Sequence, residues 1–188
     1  MEEFSYELKI PKERVAVLIG KKGETKRKIE ELTNTKMLVD SKEGDIFVSG
    51  NDALSLFSVK DILKAIGRGF NPDVALQILK PDYVFEMIEI GDFARTQNDS
   101  LRLKGRVIGT EGKSRSQIEE LTETNICVYG KTIGIVGRQD NVPVAKRAID
   151  MLLSGSPHAN VYKWLERMRR SIKGKEPISD DMFKEEKK

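Results

Sequence analysis

The chain has 188 residues, 38% of them hydrophobic and 34% charged, with a formal net charge of +3. That is apolar material for one or two small cores, and no run approaches the ~18 consecutive apolar residues of a spanning helix, so no membrane role is expected. A single cysteine, Cys127, forbids an internal disulfide, and a single histidine, His158, leaves no His–Cys metal cluster or histidine triad. No cofactor, no metal and no catalytic residue is expected, and the residues about the start, Met1-Glu2-Glu3-Phe4, lack a secretory leader's pattern. The expected setting is cytoplasmic.

Taken in chain order, residues 6–10 alternate like a strand, and Pro11 suits the start of a short helix striped by Val15, Leu18 and Ile19. Gly20 ends that helix and Gly23 opens a second, expected to bury Ile29 and Leu32. Residues 36–40 and 45–49 read as short strands around a turn at Gly44. A longer helix over about 53–66 offers Phe57, Ile62, Leu63 and Ile66 to a core. Residues 67–72, GRGFNP, break the chain, and 73–79 read as a linking helix.

The order then repeats. A strand over 83–90 precedes a polar connection at 91–100, helices over 101–108 and 113–124, and strands over 125–129 and 132–136. The next helix carries Ala145, Ala148, Ile149 and Leu152 on one apolar face. After Gly155-Ser156-Pro157 comes a basic helix over 162–172, with Trp164, Leu165 and Met168 spaced to pack on the second copy. The last residues read as a disordered tail.

The duplication is visible in the letters. Residues 19–40, IGKKGETKRKIEELTNTKMLVD, and 108–129, IGTEGKSRSQIEELTETNICVY, share nearly half their positions. Two copies of this length make duplicated domains, whereas a solenoid needs more and shorter units. Each copy is β-α-α-β-β-α, which gives an α+β fold with helices on one face of a small sheet. The expected division is a first domain at 1–69, a linker helix at 70–82, a second domain at 83–156, a C-terminal basic helix at 157–174 and the tail at 175–188.

Charge is concentrated as well as positive. Residues 9–28 hold eight basic side chains against two acidic, 101–117 five against one, and 161–175 six against one. Basic segments of this kind suit a polyanion. The segment Ile-Gly-x-x-Gly, between two helices in both copies, supplies the place for one. Its glycines let the backbone turn sharply and approach a ligand, and the following helix points its positive end at the loop. In the first copy Ile19, Gly20, Lys21, Lys22 and Gly23 form the loop, with Lys26 and Arg27 behind it. In the second, Ile108, Gly109, Thr110, Glu111 and Gly112 form it, flanked by Lys104, Arg106, Lys113 and Arg115. Glu111 must point to solvent if a phosphate is to sit there.

This order of elements with its two glycine loops resembles the type I KH domain. The resemblance implies a loop that clamps about four nucleotides of a single strand, beside an apolar groove for the bases. By position, Ile108, Ile118 and residues 126–128 should line that groove in the second copy, and Ile19, Ile29 and 37–39 in the first. The pair of domains, the linker GRGFNPDVALQIL and the ending GSPHANVYKWLERMRR resemble the archaeal members of the partner-of-Nob family of small ribosomal subunit biogenesis factors. That resemblance implies a protein without enzymatic activity that binds single-stranded RNA, in the 3′ region of small-subunit rRNA. It also implies the Nob endonuclease, an rRNA dimethyltransferase or other small-subunit factors as partners. Two rivals stand beside it. In one, the KH folds mainly bind partner proteins. In the other, Gly112-Lys113-Ser114 ends a P-loop, but the glycine that pattern needs five positions earlier is Val107.

Overall fold

The computed structural model describes residues 4–174, so the expected tail at 175–188 lies outside the described residues. The first unit runs β1 (Phe4–Lys9), α1 (Lys12–Ile19), α2 (Glu24–Thr33), β2 (Thr35–Val39), β3 (Asp45–Gly50) and α3 (Ala53–Gly67). The linker is α4 (Pro72–Ala75), continued by a 3₁₀ turn over Leu76–Leu79. The second unit runs β4 (Tyr83–Glu89), α5 (Gln97–Ile108), α6 (Lys113–Thr122), β5 (Asn125–Tyr129), β6 (Thr132–Arg138) and α7 (Val142–Leu153), followed by α8 (His158–Gly174). Each unit has one antiparallel three-stranded sheet, ordered β1-β3-β2 and β4-β6-β5. The expected α+β architecture is therefore observed, with both copies in the expected order.

In the first unit, Met37, Ile46 and Val48 face Leu18, Ile29 and the α3 residues Leu56, Val59, Ile62, Leu63 and Ile66. Two side chains expected in this core are outside it: Phe57 is 65% exposed and Leu32 58%. The buried stripe of α3 runs through Leu56 and Val59, which turns Phe57 about 100° away from it. The second core joins Ile126, Ile133 and Ile135 to Leu103, Val107, Ile118 and the apolar face of α7. Trp164, Leu165 and Met168 of α8 complete it, as their spacing predicts.

Helix α5 begins earlier than its apolar stripe suggests. The Thr96 hydroxyl accepts from the Asp99 N–H at 3.1 Å and donates to the Asp99 carboxylate at 3.1 Å. This reciprocal cap starts the helix at Gln97, inside the stretch expected to be a polar connection.

The two units are joined through the back of the second sheet. Strand β6 is buried continuously from Thr132 to Gly137. Ile133 and Ile135 point into the second core, while Val136 packs with the first. A Cβ on Gly134 would stand 2.6 Å from the Phe70 ring, so the absence of a side chain there is what lets Phe70 lie on the sheet. Phe70 also meets Phe85 edge to face, with ring centroids 6.2 Å apart. Beside it, Gly69 packs on Cys127 and Tyr129, and the Tyr129 hydroxyl donates to the Glu13 carboxylate of α1.

Candidate nucleic-acid interface

The two glycine loops have the same backbone. Gly20 has φ 73 and ψ 177, Lys22 φ 54 and ψ 26, and Gly23 φ 79 and ψ 13. Their counterparts are Gly109 at 71 and 174, Glu111 at 53 and 26, and Gly112 at 78 and 7. The first glycine of each pair packs closely on the helix that follows. A Cβ at Gly20 would lie 2.2 Å from Thr25 Oγ1, and one at Gly109 would lie 2.6 Å from Ser114 Cβ. The second glycine faces outward: a Cβ at Gly112 would meet nothing within 4 Å, and at Gly23 only Arg27 Nε at 3.9 Å. Among the described residues no side chain caps α2 or α6, so the positive end of each helix stands open behind the loop.

The cations around the loops differ in how committed they are. Lys21 and Lys22 are exposed. Arg27 turns back on its own loop, donating to the Lys22 carbonyl at 2.9 Å and the Gly23 carbonyl at 3.3 Å. Lys26 lies 3.3 Å from Glu30, and Arg115 lies 3.6 Å from Glu119. Thr110 and Glu111 are exposed, and Glu111 points to solvent, 3.8 Å from Lys113. The anion expected to repel a phosphate is thus turned away and paired.

Several residues expected at the groove are elsewhere. Ile29 and Ile118 are completely buried in the two cores, so neither can touch a base. Half-buried Ile19 and Val39 remain at the surface beside the first loop, and Ile108 and Val128 beside the second. Arg106 donates from Nε to the Leu152 carbonyl at 3.0 Å and from Nη2 to the Ser156 carbonyl at 2.6 Å. That guanidinium holds the end of α7 rather than facing a ligand. Arg14 does the same for α3, donating to the Ile66 and Phe70 carbonyls at 2.8 and 2.7 Å. Lys104 lies in a separate shallow groove with Gln97, Ser100 and Lys131. Cys127 is half-buried, and burial pushes its thiol up, away from reactivity. Ser114, the hydroxyl of the P-loop rival, is buried beneath Gly109 and cannot reach a nucleotide.

A family model described as KH domain matches residues 5–67, and one described as eukaryotic type KH-domain (type I) matches 84–170. The crystal structure of Dim2p from Pyrococcus horikoshii is similar with a TM-score of 0.81 at 42% identity, covering 87% of this chain and 99% of that one. The chain belongs to the Dim2/PNO1 family of KH-domain proteins. A KH domain-containing protein of Methanocaldococcus jannaschii is 51% identical over 170 residues, 88% of this chain and 74% of that protein. The RNA-binding protein pno1 of Dictyostelium discoideum is 34% identical over 126 residues. The chain spans 53% of that Dictyostelium relative's length. A further Pyrococcus horikoshii structure is described as an a/eIF2alpha-aDim2p-rRNA complex, with a TM-score of 0.84 at 40% identity over 90% of this chain. No helix among the described residues is long and apolar enough to cross a membrane.

Proposed function

We propose that this chain is a non-enzymatic single-stranded RNA-binding factor of small-subunit assembly that holds the 3′ region of the small-subunit rRNA. The observation carrying this is the second loop, where an outward-facing Gly112 opens onto the uncapped end of α6. A sugar-phosphate chain can lie against that backbone, with Lys113 and Arg115 adding charge and Ile108 and Val128 flanking the bases. The family supports it: relatives are named pre-rRNA-processing proteins, and a Pyrococcus neighbour was crystallised with rRNA. The exposed Lys163, Arg167 and Arg170 of α8 extend the positive surface. Partners in this role are the Nob endonuclease and an rRNA dimethyltransferase, in the cytoplasm.

The test is binding of a single-stranded oligoribonucleotide to Gly112→Asp, whose side chain has room to fold but puts a carboxylate where a phosphate belongs. Affinity should drop at least about tenfold, while the positive φ lowers stability by only about 1 kcal/mol and the variant stays folded. For about six neutralised phosphates, the wild-type log affinity should fall with log salt at a slope near −4. Salt-independent binding would refute the proposal.

A second reading suits the first unit, which then acts as a protein adaptor. Leu38 (74% exposed) and Phe47 (49%) pair across the outer face of its sheet, the face that the second unit has covered. Lys21→Asp with Lys22→Asp separates the two: RNA affinity falls if the first loop holds RNA and stays put if it does not.

A further inference from the structure

Between the two units lies a cleft that the glycine loops do not account for. Pro11 and Lys12 of the β1–α1 turn form one wall, Lys64 and Arg68 at the end of α3 another, and Met87 of β4 in the second unit closes it. Lys9 also lines it, and among the described residues Glu43 is the one acidic side chain in the lining. Glu43 is occupied, lying 3.3 Å from Lys12. Lys9 pairs with Asp45 at 3.1 Å, and Lys64 lies 3.7 Å from Asp61. Among the described residues Arg68 makes no ion pair or side-chain hydrogen bond, and its charge acts on the Tyr129 phenol, which donates to Glu13.

The cleft is also close to the second groove. Met87, Gly134 and Cys127 form one row across the sheet, so the cleft's floor lies only two strand spacings, about 10 Å, from the edge strand β5. Gly69, next to Arg68, packs directly on Cys127 and Tyr129 of that strand. A strand of RNA leaving the second groove past Tyr129 therefore meets Arg68 next.

We propose that this interdomain cleft is an additional nucleotide subsite, in which Arg68 holds a phosphate and the apolar surface of Pro11 and Met87 takes the face of a base. The inference rests on the RNA path assigned to the second loop, and it makes the first unit part of that path. An acidic protein segment is the other occupant such charge would admit. A base-sized apolar floor beneath one uncommitted guanidinium favours the nucleotide.

The experiment compares two oligoribonucleotides on the full chain, one of about four nucleotides that fills only the groove and one of about eight. The longer should bind about tenfold more tightly, with a salt slope steeper by about 0.7 for each added phosphate. Arg68→Ala and Met87→Asp should each remove at least about fivefold of that gain, leave the short oligomer unchanged and melt like the wild type. Gly112→Asp should weaken both oligomers. The proposal is overturned if the longer oligomer gains nothing, if its gain survives both cleft variants, or if Arg68→Ala weakens both oligomers equally. Survival of the gain alongside competition by a poly-glutamate peptide for the cleft would assign it to protein instead. Failure of the short oligomer to bind the wild type would refute the reading of the second loop, and the cleft with it.

Discussion

Gly109 and Gly112 look interchangeable in a motif, yet they meet different constraints. Both have positive φ, which costs a residue with a Cβ roughly 1–2 kcal/mol. At Gly109 the added carbon also collides with Ser114, including its backbone nitrogen at 2.7 Å, which cannot rotate away. Gly109→Ala should therefore lower stability by more than about 2 kcal/mol, seen as a depressed midpoint in urea unfolding. Gly112→Ala should cost only about 1 kcal/mol and show its main effect on RNA affinity, because its carbon points into the open space before the loop. Equal destabilisation by the two would contradict this division of labour. Tyr6 presents the opposite case. Its hydroxyl is buried without a hydrogen-bond partner among the described residues, and burial pushes the phenol up, with the Asp61 carboxylate adding to the shift. Tyr6→Phe should be neutral or raise stability by up to about 1 kcal/mol, measured by thermal melting.

The shared EELT letters become intelligible where helix hands over to strand. Glu30 accepts from the Met37 N–H at 2.7 Å, and Glu119 from the Ile126 N–H at 2.7 Å. Thr33 and Thr122 bond back to the carbonyls of Ile29 and Ile118, each at 2.7 Å, and each shares a 2.9 Å hydrogen bond with the threonine two residues on. The sequence pattern places these glutamates on a solvated or salt-bridged helix face. The ion pairs are present, but the larger task is to clasp the edge strand beside each loop. Glu119→Ala should cost about 1–3 kcal/mol by leaving the Ile126 N–H without its acceptor, whereas Glu119→Gln keeps a carbonyl oxygen there and should lose less. Periodicity was enough to recover the order of elements and both loops, because apolar spacing and glycine placement are local. Other features were not local. The start of α5 depends on a side-chain cap at Thr96, and Phe57 differs from a core residue only by one step around its helix. Arg14 and Arg106 end up in equivalent roles from unaligned positions, five residues before Ile19 and two before Ile108. No comparison of the copies reveals that Arg106 is already committed to α7.

At the scale of the molecule, the placement of one unit on the other was the least legible feature, although β6 carried a trace of it. A sheet with one solvated face should alternate, yet residues 133–137 read IGIVG, without a polar side chain on either face. The glycines leave room for Phe70, and what covers them lies in the linker. Away from this apolar contact, Glu13 and Tyr129 tie the units at the surface. The Tyr129 hydrogen bond is the main reason the Glu13 carboxyl sits below the usual glutamate range, and the same bond is the first cause pushing the Tyr129 phenol up. Because Glu13 is lowered on folding, its link is present above the ordinary carboxylate range and is lost as pH falls through the depressed value. In Tyr129→Phe, an NMR titration should find the Glu13 carboxyl moved back up toward the ordinary glutamate range; an unchanged position would place its cause elsewhere.

The apolar contact should matter more than this exposed link. Phe70 is buried against Gly134 and Phe85, and truncating a buried phenylalanine typically costs about 3–5 kcal/mol. Each unit has its own sheet and core, so the loss in Phe70→Ala should fall on the joint rather than on either glycine loop. Small-angle scattering should then show a larger radius of gyration, while the amide spectra of Gly109–Gly112 stay in place. If RNA crosses from the second groove to the first unit, this variant should bind a four-nucleotide oligomer normally and lose affinity only for a longer one, because only the longer strand needs the two units held at a fixed distance.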